Sequence, residues 1–310
     1  TKPGGSMIPT APIKKNILLV AFALGLLIPV VVIFIRENMN TRVRGRKDLD
    51  DLSVPFIGEI PLAICGKKKV KSHEAHTIVV KEGSRDIMNE AFRVLRTNLE
   101  FMIGKDRSSN VIVITSFNPG SGKSFLTMNI AMSLAIKNKK VLVIDGDLRH
   151  ASASAYIHSP EVGLSNYLGG QVDELSDIIV TDKQHPSFSF IPVGTIPPNP
   201  TELLFNDRLQ DAIHTLKQQY DVVLIDCPPV ELVADTQIIE KWADRTVFVV
   251  RAGLLERSML PELENIYREK KYKNMSVILN GTEGAGGRYG YRYGYRYGYG
   301  SGSYYGSSSK

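Results

Sequence analysis

Cysteine is nearly absent: 310 residues contain only Cys65 and Cys227. Two distant thiols do not make a disulfide framework, which excludes a small stapled secreted domain and fits a reducing compartment. The six histidines show no metal-ligand spacing, so a zinc-type site has no basis in the sequence. No aliphatic residue follows Ala285, so the C-terminal stretch cannot build a core and is expected to be disordered. The chain opens on Thr1 where a complete protein would have Met, and a fragment of a longer protein is the expectation. The net charge is only +6, but it is uneven. Basic residues gather at Arg36, Arg42, Arg44, Arg46 and Lys47, and again from Lys67 to Lys71.

Charge is missing altogether from Ile17 to Ile35. Nineteen apolar residues at about 1.5 Å each cover about 28 Å, close to the hydrocarbon thickness of a bilayer. Gly25 and Pro29 are tolerated in such a span. No small-residue cleavage site follows, which argues against a signal peptide. The excess of Lys and Arg lies C-terminal to the span and predicts that side to be cytoplasmic. The expected organisation is therefore an extracytoplasmic Pro/Gly-rich segment (1–16), a transmembrane helix (17–35) and a juxtamembrane connector (36–85). A catalytic domain (86–282) and a Tyr-rich tail (283–310) follow. The lysine run of the connector is either a solvated linker or a contact to anionic headgroups. Within the connector, residues 48–61 are expected to hold a short ordered element.

Asp86 to Ile103 has helical period, with Ile87, Ala91, Leu95 and Leu99 on the expected apolar face. Glu90, Arg93 and Arg96 follow at three-residue intervals and are expected to line one ridge. Beyond Asn110 strands and helices alternate. Strands are predicted at 111–115, 141–145, 188–192, 222–226, 246–251 and 276–280, mostly as unbroken β-branched runs suited to a parallel sheet buried on both faces. Helices are predicted at 124–138, 201–218, 235–242 and 256–270. The fold class is α/β, a doubly wound and mostly parallel sheet whose ligand site lies beyond the carboxyl ends of the strands.

The chemistry concentrates on Ser116-Phe-Asn-Pro-Gly-Ser-Gly-Lys-Ser124, between an apolar strand and an amphipathic helix. Gly120 and Gly122 let the backbone curl so that its N–H groups face an anion, and the next helix adds its positive end. Lys123 would reach terminal phosphates and Ser124 would hold Mg²⁺. The nucleotide-binding set is Asn118, Pro119, Gly120, Ser121, Gly122, Lys123, Ser124 and Phe125. The loop is a variant, because Phe117 stands where the strict pattern has Gly. Two further strands deliver carboxylates to the same edge, Asp145 with Asp147, and Asp226. Mg²⁺ wants hard oxygen ligands, so Ser124, Asp147 and Asp226 are the metal candidates and ATP with Mg²⁺ the cofactors. Either Asp145 or Asp147 can accept a proton from an attacking hydroxyl, with Asp145 preferred. Arg149 either orients the metal site or pairs with a surface carboxylate. Asn280 either reads an adenine edge or caps a turn. Glu202 reads as an early-turn acid favoured by the helix dipole.

Arg288-Tyr-Gly-Tyr occurs three times in succession, and eight of thirteen tyrosines fall in the tail: Tyr289, Tyr291, Tyr293, Tyr295, Tyr297, Tyr299, Tyr304 and Tyr305. Arg–Tyr interleaving also suits single-stranded nucleic acid, but a membrane span makes that reading poor, and no nucleic acid is expected.

Together these features resemble the bacterial tyrosine kinases of the polysaccharide co-polymerase type. The resemblance rests on Pro55-Phe-Ile-Gly-Glu-Ile-Pro61, Glu90-x-x-Arg93-x-x-Arg96, the phosphate loop, Asp145-x-Asp147-x-Arg149, Pro197 to Leu204, Asp226-x-x-Pro229 and the tyrosine cluster. It implies a protein-tyrosine kinase using Lys123, Asp145, Asp147, Arg149 and Asp226, and phosphorylation of the eight tail tyrosines between subunits. It further implies a ring-like homo-oligomer, commonly octameric, assembled through Glu90, Arg93 and Arg96. The remaining implications are an inner-membrane location, capsule or exopolysaccharide synthesis and export, and partnership with that machinery and a phosphotyrosine phosphatase. A membrane-linked positioning ATPase is the nearest rival, but Asn118 stands where that group carries a second lysine. A non-enzymatic chain-length regulator is the other, and the intact set of Lys123, Ser124 and three aspartates opposes it.

Overall fold

A computed structural model describes residues 14–38, 41–62, 76–104, 110–230 and 234–283. The lysine run, Cys65 and all eight tail tyrosines lie outside the described residues. Two units are distinct, one ending at Arg42 and one beginning at Val43.

In the first unit, α1 (Lys14–Asn38) contains a 20-residue window of mean hydropathy 3.1, long and apolar enough to cross a membrane. None of that window is buried against protein.

The second unit is built on one eight-stranded sheet. Its strands are β1 (Phe56–Pro61), β2 (Val111–Thr115), β3 (Val141–Asp145), β4 (Val180–Thr181), β5 (Phe188–Ile191), β6 (Val222–Asp226), β7 (Arg245–Arg251) and β8 (Ser276–Thr282). The order across the sheet is β1-β8-β7-β2-β6-β3-β5-β4, parallel throughout except for the β4–β5 pair. The inner strands are buried at every residue, as their unbroken apolar runs require. Helices α2 (Ile87–Ile103) and α3 (Lys123–Ala135) pack on one face. Helices α4 (Leu164–Leu168), α5 (Pro200–Leu204), α6 (Asp207–Gln219) and α7 (Asp235–Glu240) contribute to the core of the other. A third cluster joins α8 (Leu260–Arg268) to Val43, Leu49 and Val54.

The ordered element expected within 48–61 is present: β1 adds to β8 as the sheet's edge strand, and Val43 exchanges backbone hydrogen bonds with Gly253 and Leu255. Three expectations need correction. The predicted helix 201–218 is two helices, broken where Asn206 caps α6 by accepting from the Arg208 N–H. The ridge of α2 also divides. Three residues turn a helix about 300°, so Arg96 lies about 120° round from Glu90. Glu90 and Arg93 pair on the exposed side at 2.8 Å, while Arg96 is buried and donates to the Ser133 carbonyl oxygen at 2.9 Å. Ile87, expected in the core, is 69% exposed.

Candidate nucleotide and phosphoryl-transfer site

The phosphate loop joins β2 to α3 at the carboxyl edge of the sheet. Gly122 caps α3 with φ 88°, and an added Cβ would collide with the Asn280 amide, so only glycine fits. The loop is gripped by its carbonyl oxygens. Ser116 and Ser121 hydroxyls donate to the Asn118 carbonyl at 2.8 Å, and Asn280 Nδ2 donates to the Ser121 carbonyl at 2.8 Å. Phe117 is buried edge-on against Phe248, with ring centroids 4.8 Å apart, and so anchors the loop's start in the core. That explains its place in a position where the strict pattern has glycine. Phe125 packs edge-on against Phe92 of α2.

Asp226 ends β6 beside β2, in register with Asp145 at the end of β3. Ser124 Oγ donates to Asp226 Oδ2 at 2.5 Å. Asp226 Oδ1 is buried without a hydrogen-bond partner. Burial pushes the Asp226 carboxyl above its usual range, partly offset by the nearby Lys123 ammonium and the Ser124 hydrogen bond. An orphaned carboxylate oxygen beside a hydroxyl and an ammonium suits a divalent cation and a triphosphate. Among the described residues no group of three or more His, Cys, Asp or Glu side chains is placed to hold a metal alone. The donor set therefore fits an ion such as Mg²⁺, which takes one or two protein ligands and completes its shell with phosphates and water.

Asp145 and Asp147 differ in kind. Asp145 is fully buried, its Oδ2 accepting from the Ser154 N–H and hydroxyl at 2.7 Å each and its Oδ1 from the Asp147 N–H at 3.3 Å. Ser154 Oγ in turn accepts from the Val193 N–H. Burial, then the adjacent Asp226, raises the Asp145 pKa. Asp147 is 6% exposed, and its Oδ1 accepts from the Arg149 and His150 N–H groups at 3.2 Å. Arg149 turns to Asp235, at 2.9 Å from Nε, and to the Thr201 hydroxyl at 2.8 Å, while Thr201 donates to Asp235. Asp235 is fully buried. Of the two readings open for Arg149, the carboxylate pair is present, with a buried partner. Sequence reasoning did not single out Asp235, Thr201 or Ser154, because each is tied to the site by contacts across 9 to 86 positions of chain. Glu202 accepts from the Asn199 amide in the first turn of α5, as its helix-start position suggested. His76, outside the domain bounds expected from sequence, stacks edge-on against Tyr156 at 5.3 Å.

The family model that matches, described as an AAA domain, covers residues 109–276. The tyrosine-protein kinase etk of Escherichia coli K12 is 31% identical over 263 residues, which is 79% of this chain and 35% of that protein. The tyrosine-protein kinase wzc of Salmonella typhimurium LT2 is 31% identical over 281 residues, covering 87% and 38%. The chain thus spans under two fifths of the length of these curated relatives. Among solved structures, the kinase domain of Escherichia coli tyrosine kinase ETK has a TM-score of 0.69 at 31% identity, covering 81% of this chain and all of that one. The BceF tyrosine kinase domain has a TM-score of 0.66 at 34% identity, covering 77% and 99%.

Proposed function

Because this chain belongs to the bacterial tyrosine-kinase family, we propose that it transfers the γ-phosphoryl group of ATP to tyrosine hydroxyls, those of its own C-terminal cluster among them. The observation that carries this reading is the Ser124–Asp226 pair under the phosphate loop, with the second Asp226 oxygen left unpaired. Loop N–H groups and the N-terminus of α3 would bind the phosphates, and Lys123 would sit on the terminal ones. Ser124 and Asp226 would hold Mg²⁺, which supplies charge to offset the phosphates when bound. The tyrosine oxygen forms the new bond to phosphorus, the bridge to ADP breaks, and a carboxylate takes the phenolic proton. Asp145 already has both oxygens engaged by Ser154 and the Asp147 N–H. We therefore assign Asp145 to holding the loop and Asp147, the less deeply buried of the two, to the proton. Arg149 would keep the Asp147 turn in place through Asp235.

A random coil of the tail's length would have a typical end-to-end span of about 30 Å, which favours the tail as acceptor on reach. Assembly of copies is supported by α2, whose outer side shows Ile87, Val94 and Phe101, 69%, 53% and 80% exposed, next to the Glu90–Arg93 pair. Seven-residue spacing keeps those three on one side of the helix. An inner-membrane anchor through α1 and a role in polysaccharide export complete the reading.

The deciding experiment incubates the chain with ATP and Mg²⁺ and maps phosphotyrosine by mass spectrometry. Phosphate on the tail in the wild type, with a loss of about a hundredfold or more in Lys123→Met, is expected. Phosphate released only to solution would instead indicate an ATPase, and none anywhere a non-enzymatic regulator.

A further inference from the structure

Arg251 ends β7 in register with Asn280 of β8, at the same edge of the sheet as the phosphate loop. It is half-buried, and among the described residues no ion pair or hydrogen bond engages its guanidinium. Burial without a counter-charge lowers its pKa. A cation kept partly out of water and unpaired costs stability, so its presence asks for a ligand.

The geometry narrows the ligand. Gly281 has φ 73°, and a Cβ built there would lie 2.5, 2.6 and 2.8 Å from Arg251 Cζ, Nε and Nη1. Three atoms of one plane at nearly equal distance mean that the guanidinium lies flat on Gly281. One of its faces is covered by backbone. Nη1 also comes within 3.8 Å of the Cβ position at Gly122, where Asn280 sits. Asn280 binds the carbonyl side of the loop, away from the N–H groups that would face phosphate. An unpaired arginine can offer charge to a phosphate or a plane to an aromatic ring. Its flat seating and its place on the carbonyl side favour the plane.

We propose that Arg251 is the platform on which the adenine ring of bound ATP stacks, with Gly281 as its backing. This rests on the nucleotide-binding reading above and adds a base-recognition residue to it. The test is calorimetric titration of the full chain in detergent, in the presence of Mg²⁺, with ADP and separately with inorganic tripolyphosphate, which has no base. Arg251→Ala should weaken ADP by about 3- to 30-fold and leave tripolyphosphate within twofold. Arg251→Lys, which keeps the charge but not the plane, should lose most of the same affinity. Without nucleotide, the unfolding temperature of Arg251→Ala should not fall, since an unpaired, half-buried cation has been removed. The proposal is overturned by unchanged ADP binding, by equal weakening of both ligands, or by a lowered nucleotide-free unfolding temperature. A wild-type chain that binds neither ligand would sink the nucleotide reading and this proposal together, whereas normal wild-type binding with an indifferent Arg251→Ala would sink this proposal alone.

Discussion

Asp145 and Asp226 stand side by side at two strand ends, both out of water. Burial raises the Asp145 pKa above its ordinary 3.8, so the unfolded chain releases that proton at lower pH than the folded one. The sign follows: any stability tied to the protonated group is complete below about pH 4 and is lost as pH climbs toward the raised value. Asp145→Asn cannot ionise, so its urea midpoint should fall less steeply from pH 4 upward than that of the wild type; parallel profiles would exclude this account. Ser154 gives Asp145 two hydrogen bonds and receives one from Val193. Ser154→Ala should therefore destabilise the domain by about 1–3 kcal/mol, read from denaturant unfolding, because a buried carboxylate loses a donor and an N–H loses its acceptor. For phosphoryl transfer, Asp147→Asn should lower the rate more than it lowers nucleotide affinity, a split visible in single-turnover kinetics.

Helix α2 presents two chemically different sides. Its inner side presents Phe92, Leu95, Leu99 and the buried Arg96, and its outer side presents Ile87, Val94, Phe101 and the Glu90–Arg93 pair. Arg96→Ala should cost about 1.5–3 kcal/mol in a urea melt, since a charged hydrogen bond to the Ser133 carbonyl is lost inside the fold. Arg93→Ala, in an exposed pair, should change stability by no more than about 1 kcal/mol. If α2 is an assembly surface, Arg93→Ala and Phe101→Ser should reduce the oligomer mass in light scattering while leaving the melt nearly unaltered. A lowered melt with unchanged mass would assign those side chains to the fold instead. The edge strand β1 makes a related point. It ties Phe56–Pro61 into the sheet that carries the site through pairing with β8, and Val43 adds backbone contacts to the loop after Arg251.

At the level of the whole molecule, charge is the variable that phosphorylation would alter most. Each phosphate adds about −1.5 to −2, so eight would bring about −12 to −16 against a net charge of +6. Copies gathered in a ring would then repel one another. The fully phosphorylated form should show a smaller native mass than the unphosphorylated one, with the difference shrinking as salt screens the tails. Equal masses in low salt would remove phosphorylation as the cause of disassembly.

Periodicity and composition alone carried the apolar span, the parallel sheet and the phosphate loop, because each is written in contiguous residues. Strands β3 and β6 were legible to the residue for the same reason: unbroken apolar runs, mostly Val and Ile, ending in Asp. The strict pattern could not account for Phe117, whose partner Phe248 lies 131 positions away, and that contact is a product of the fold. Tertiary structure alone decided that Arg96 faces inward, that the connector lends an edge strand, and that Asp145, Arg149 and Asn280 already have partners in Ser154, Asp235 and Ser121. The physical reason is common to all of these. A local pattern states which groups want burial or a partner, but the identity of the partner depends on which distant segments the sheet order brings alongside.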